Sequence, residues 1–79
     1  MQRTALITGG SRGLGRTVAE FLAAQKYDLV ITARGEAELE KTARDLRRHG
    51  GQVIALAGDV TDPAHRRRLA QAARALGRL

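Results

Sequence analysis

"TGGSRGLGRT", residues Thr8–Thr17, gathers four of the chain's nine glycines into ten positions, with Arg12 and Arg16 among them. Glycines at this density mean that the backbone turns where a side chain would obstruct it, or that something passes very close to it. The run ahead of it, "ALIT" (Ala5–Thr8), is apolar and continuous, as in a strand covered on both faces. Behind it, Leu14, Val18, Phe21 and Leu22 recur at helical spacing. The glycines therefore join the carboxyl end of a strand to the amino end of a helix. Free N–H groups and the positive end of the helix dipole favour a phosphate there.

The same alternation repeats outward from this stretch. "DLVIT" (Asp28–Thr32) and "VIALAGD" (Val53–Asp59) are two more continuous apolar runs. A helix is predicted over Glu36–Arg48, with Leu39, Ala43 and Leu46 on one side. Its acidic residues come early (Glu36, Glu38, Glu40) and its basic ones late (Arg44, Arg47, Arg48), which complements the helix dipole, and Gly50 and Gly51 supply a stop. "TDP" predicts a third helix entry, with Asp62 as N-cap and Pro63 at the first helical position; Leu69, Ala73 and Leu76 mark its buried side. The order β-α-β-α-β-α predicts an α/β fold with a parallel sheet and right-handed crossovers. The strand order is then 3-2-1, with two helices on one face and the third on the other, which is half of a doubly wound fold.

Composition narrows the function classes. At 79 residues the chain is one domain at most, and a core of that size is marginal. Phe21 and Tyr27 are its only aromatic residues, so the core must come from aliphatic side chains and Ala. Without cysteine there is no disulfide framework and no thiolate metal site, a usage that fits the cytoplasm. No apolar run is long enough for a membrane span. A net charge of +6 raises the possibility of a nucleic-acid binder, but no aromatic platform and no nucleic-acid motif accompany it, and solvated helix faces are the preferred reading.

Two phosphate-loop patterns compete for the glycines. Gly10–Thr17 fits a P-loop except that Arg16 stands in place of the lysine, a poor geometric substitute, and no convincing acidic strand end for magnesium stands beside it. The other pattern is Thr8-Gly9-x-x-x-Gly13-x-Gly15. "ITGGSRGLG" resembles the cofactor loop of the short-chain dehydrogenase/reductase family, and the resemblance continues through "LVITAR" and "AGDVTDP" over essentially the whole chain. It implies a Rossmann fold, residues 1–79 being a partial cofactor-binding domain that stops at "GRL", before a fourth strand. One departure is "QKYD" (Gln25–Asp28), where many members carry a glycine; Lys26 there makes a poorer helix end.

An acidic residue at the end of the second strand would bind ribose hydroxyls and repel a 2′-phosphate; Ala33 stands there, followed by Arg34. With Arg12 in the glycine loop, two arginines would converge on a phosphate dianion. The resemblance implies that these basic positions mark a preference for NADP. It further implies loop contacts from Gly9, Ser11, Gly13, Leu14 and Gly15 to the pyrophosphate and ribose. Asp59 would hold the adenine amino group, and the Val60 backbone would line the adenine pocket.

The catalytic groups that the family uses are not in this sequence. There is no Asn, the only Ser is Ser11, and Tyr27 is followed four positions later by Ile31 rather than by Lys. His49 and His65 read as solvated residues on helix surfaces rather than as bases or metal ligands. The expectation is the NADP(H)-binding portion of an oxidoreductase that moves a hydride between cofactor and an alcohol or carbonyl, inactive as these 79 residues. It would self-associate or pair with a C-terminal half. A stand-alone nucleotide-binding or interaction module is the alternative.

Overall fold

The computed structural model describes residues 3–77, so the fourth-strand boundary expected at Leu79 lies outside the described residues. Six elements alternate: β1 (Thr4–Thr8), α1 (Gly13–Ala24), β2 (Asp28–Ala33), α2 (Glu36–Arg47), β3 (Val53–Ala57) and α3 (Pro63–Gly77). The strands form one parallel sheet with β2 in the middle. Thr8 stands opposite Thr32, and Ala33 opposite Ala57, so all three carboxyl ends meet on one edge. This is the expected 3-2-1 order.

Burial on both faces explains why the strands are continuous apolar runs. Leu29 and Ile31 point toward α1 and α2, where they join Ile7, Val53, Ala19, Ala23, Leu39, Ala43 and Leu46 in the main core. Val30 points the other way, against Leu69 and Leu76 of α3. The third helix entry forms as expected: Asp62 Oδ1 accepts from the Ala64 N–H at 3.0 Å. β3 ends at Ala57, two residues before the predicted Asp59, because Asp59 turns its carboxylate onto Thr61 instead of extending the strand.

α1 forms where the helical spacing of Leu14, Val18, Phe21 and Leu22 predicts it, but these residues do not share one environment. Leu14, Val18 and Phe21 are exposed by 80, 40 and 64%, Leu22 packs half-buried against the core, and the small-residue line Gly15, Ala19, Ala23 turns to the sheet. Small side chains are what let this helix lie close: a Cβ on Gly15 would stand 2.3 Å from the Gly9 carbonyl oxygen.

Candidate functional site

The meeting of the strand ends makes a cleft of about 290 Å³. Thr8 and Gly9 line it from the first strand end, Thr32, Ala33 and Arg34 from the second, and Gly58 and Val60 from the third. Its edges are tied together by backbone bonds. The N–H groups of Gly9 and Gly10 donate to the Thr32 carbonyl at 2.9 and 3.3 Å, and that of Gly58 donates to Ala33 at 3.1 Å.

The glycine loop leaves this cleft at Gly9, which lines it. Gly9 and Gly13 have φ of +66° and +55°, in the left-handed region, and side chains built there would project into open space. Arg12 is the N-cap of α1 with an extended backbone; it makes no side-chain cap, and the first turn carries no acidic residue. The N-terminal N–H groups of α1 and its positive dipole end therefore face the loop without a carboxylate to satisfy them, an arrangement suited to an anion. Ser11 is half-buried in the loop and Leu14 is exposed beside it.

Charged groups flank the cleft in pairs. Arg34 Nη2 lies 3.3 Å from Asp59 Oδ2 at the cleft's rim. Asp59 also accepts the Thr61 N–H at 2.8 Å and the Thr61 hydroxyl at 2.7 Å. These two bonds, with Arg34 adding to them, hold its carboxyl below the usual carboxylate range. Arg12 reaches over to α2, where its Nε donates to Glu38 Oε2 at 3.0 Å. Of the two arginines expected to converge here, Arg34 lines the cleft and Arg12 does not, and each already faces a carboxylate. Arg16, the residue in the P-loop lysine's position, points away from the loop: it binds Asp45 at 2.9 Å and Glu20 at 3.1 Å and ties α1 to α2. That removes the reason for a P-loop reading.

His65 departs from its expected place on a solvated helix surface. It is 1% exposed rather than solvated. Arg68 faces its Nδ1 at 3.3 Å, which leaves Nε2 to carry the proton and donate to Thr32 Oγ1 at 2.8 Å. It lies one turn before Leu69 on the buried side of α3, and Gly58 leaves room for its ring. Sequence reasoning missed Thr32 and Gly58 as cleft walls and His65 beneath them. Their one signal was position at strand ends and on the Leu69–Leu76 stripe.

The arrangement supplies N–H donors, a helix N-terminus, an arginine in the cleft wall and a largely apolar cleft, which suits an anion joined to a flat ring. Among the described residues, no group of three His, Asp or Glu side chains could hold a metal ion, and no helix is long and apolar enough to cross a membrane. Tyr27 lies at the other end of the sheet, where its hydroxyl accepts from Arg3 at 3.4 Å.

Known proteins share this plan. The family model described as short chain dehydrogenase matches residues 3–79. A tropinone reductase homologue of Arabidopsis thaliana is 41% identical over 66 residues, which are 84% of this chain and 20% of that protein. L-Sorbose reductase from Gluconobacter frateurii, solved with NADPH and L-sorbose, superposes with a TM-score of 0.87 at 32% identity, over 94% of this chain and 28% of that one. A short chain dehydrogenase/reductase from Burkholderia phymatum, solved with NAD, gives 0.85 at 38% identity, over 91% of this chain and 26% of that one. The chain thus spans under a third of each of these proteins.

Proposed function

The chain belongs to the short-chain dehydrogenase family, and on that footing we propose that residues 1–79 are the part of an NADP-dependent oxidoreductase that holds the adenosine-phosphate side of its cofactor. The observation that carries this reading is the end of β2. Ala33 and Arg34 line the cleft where a carboxylate would reject a 2′-phosphate, and Arg12 stands on the facing loop. The L-sorbose reductase complex with NADPH supports it; the complex of the Burkholderia protein with NAD is the competing precedent.

The residues fit such a cofactor. Gly9 and Gly13 leave open space before the loop, and the α1 N-terminus faces it with unsatisfied N–H groups. In this reading Gly9, Ser11, Gly13, Leu14 and Gly15 form the pyrophosphate and ribose cradle. Asp59 and the backbone of Val60 flank the adenine, and Arg12 and Arg34 take the 2′-phosphate. A bound nicotinamide cofactor supplies the hydride exchanged with an alcohol or carbonyl in the complete reaction. This chain's own contribution is to bind and orient; Tyr27, its only phenol, sits at the opposite end of the sheet from the cleft. The cysteine-free sequence suits a reducing compartment, and we place the protein in the cytoplasm.

Titration calorimetry with NADP+ and NAD+ tests the assignment. NADP+ is expected to bind more tightly, and Arg34→Asp to erase most of the difference, since a charge-assisted hydrogen bond contributes about 1.5–3 kcal/mol. Equal affinities in the unaltered chain reject the 2′-phosphate site. A nucleotide-binding unit with no catalysis of its own is the second reading, favoured by the lack of any Asn and of a Tyr four residues before a Lys. Under either reading the 79-residue chain oxidises no NADPH with carbonyl compounds.

A further inference from the structure

The two arginines expected to take a 2′-phosphate do not wait with bare charges. Arg34 faces Asp59 at 3.3 Å, and Arg12 faces Glu38 at 3.0 Å. The pairs differ in kind. Asp59 is held in its turn by two bonds from Thr61, so its carboxylate is fixed whether or not Arg34 attends it. Glu38 has no such second partner. It stands in the first turn of α2, and among the described residues its carboxylate accepts a hydrogen bond from Arg12 alone. Both side chains are largely open to solvent, so the pair can exchange partners. Arg34 lines the cleft, and α2 begins two residues beyond it with Gly35 as N-cap, so Glu38 follows Arg34 by four positions at the start of that helix.

We propose that Glu38 is a specificity-determining residue of this site: a resident counter-ion that competes with a cofactor's 2′-phosphate for Arg12 and so restrains the preference for NADP over NAD. The proposal rests on the NADP reading above. The chemistry is competition between like acceptors. A guanidinium presents a planar fork of donors to a carboxylate or a phosphate, and the Nε edge of Arg12 is taken by Glu38. A 2′-phosphate must displace that carboxylate before it can use the same edge. NAD carries a neutral 2′-hydroxyl, makes no such demand on Arg12, and is indifferent to Glu38. The acidic first turn of α2, usually explained by the helix dipole alone, thereby acquires a second role in setting which cofactor binds.

The test is calorimetry with NADP+ and NAD+ on the 79-residue chain, on Glu38→Gln, on Arg12→Met and on the double variant. The exposed position of Glu38 keeps Glu38→Gln folded, which a circular-dichroism melt verifies. Glu38→Gln is expected to tighten NADP+ roughly two- to five-fold, the scale of one exposed ion pair, and to leave NAD+ unchanged. In the Arg12→Met background the same substitution is expected to change nothing, because there is no guanidinium left to compete for. An unchanged NADP+ affinity, or equal tightening of both cofactors, overturns the proposal. So does a gain that persists without Arg12, since that would be general repulsion from the helix turn. An unaltered chain that binds NADP+ no better than NAD+ fails at the first titration, and that result rejects the underlying NADP reading instead.

Discussion

Lys26 occupies a backbone conformation that few side chains adopt, with φ at +67°. It follows the end of α1, where its N–H donates to the Ala23 carbonyl at 3.0 Å and the Tyr27 N–H donates to Leu22 at 3.1 Å. Those two bonds define the helix-ending turn that prefers glycine at this position. The turn forms regardless of the lysine, whose ammonium reaches the His49 carbonyl. Lys26→Gly is therefore expected to stabilise the fold by about 0.5–1 kcal/mol, the left-handed strain relieved less the bond given up, as a shift in the urea midpoint. Asp59 makes a prediction of opposite chemical kind. Its folded-state carboxyl is held below the ordinary value of 3.8, so between the two values the native chain binds fewer protons than the unfolded one. The stability it contributes is complete above the unfolded value and is lost as pH falls through the folded one. Acid titration of folding should show this loss below about pH 4, and Asp59→Asn should flatten that limb of the curve.

At the scale of elements, the contact between α3 and the sheet turns on one buried polar pair. His65 and Thr32 satisfy each other at 2.8 Å, and Arg68 serves the other ring nitrogen. His65→Ala leaves both a void and an unpaired buried hydroxyl, and is expected to cost about 2–4 kcal/mol in chemical denaturation. His65→Gln keeps a donor within reach of Thr32 and should cost clearly less; equal losses would show that ring volume alone matters. α1 makes the contrasting case. It meets the sheet through Gly15, Ala19 and Ala23, with Leu22 half-buried beside them, and a helix seated that closely leaves Leu14, Val18 and Phe21 outside. Apolar periodicity alone could not tell the two sides of this helix apart, because both sides are apolar. The deciding quantity is interaxial distance, which only small residues allow to be short.

For the whole molecule, β1 and β3 are the outer strands of a three-stranded sheet, and large apolar groups remain in contact with water. Leu6 is 47% exposed on β1, and Leu14, Val18 and Phe21 form an outward stripe on α1. Outer strands with unpaired edges and exposed apolar groups favour association with another chain. The 79-residue chain is therefore expected to self-associate, with a sedimentation mass above 8.5 kDa that rises with concentration. A monodisperse monomer with a sharp, concentration-independent melt would show instead that the three-strand unit closes its own core.

The sequence by itself determined the order of elements, the layers, the glycine loop at the first strand end and the Asp62 cap. Each of these follows from interactions within a few residues along the chain: apolar period, left-handed glycine, a carboxylate next to a free N–H. Tertiary structure alone decided which charged and polar groups meet. It sent Arg16 to Asp45, gave Arg12 to Glu38, buried His65 on Thr32 and turned Leu14, Val18 and Phe21 of α1 outward. The partners in these pairs lie 26 to 33 residues apart, and a side chain so placed finds its neighbour only after the crossovers have set which helix faces which strand.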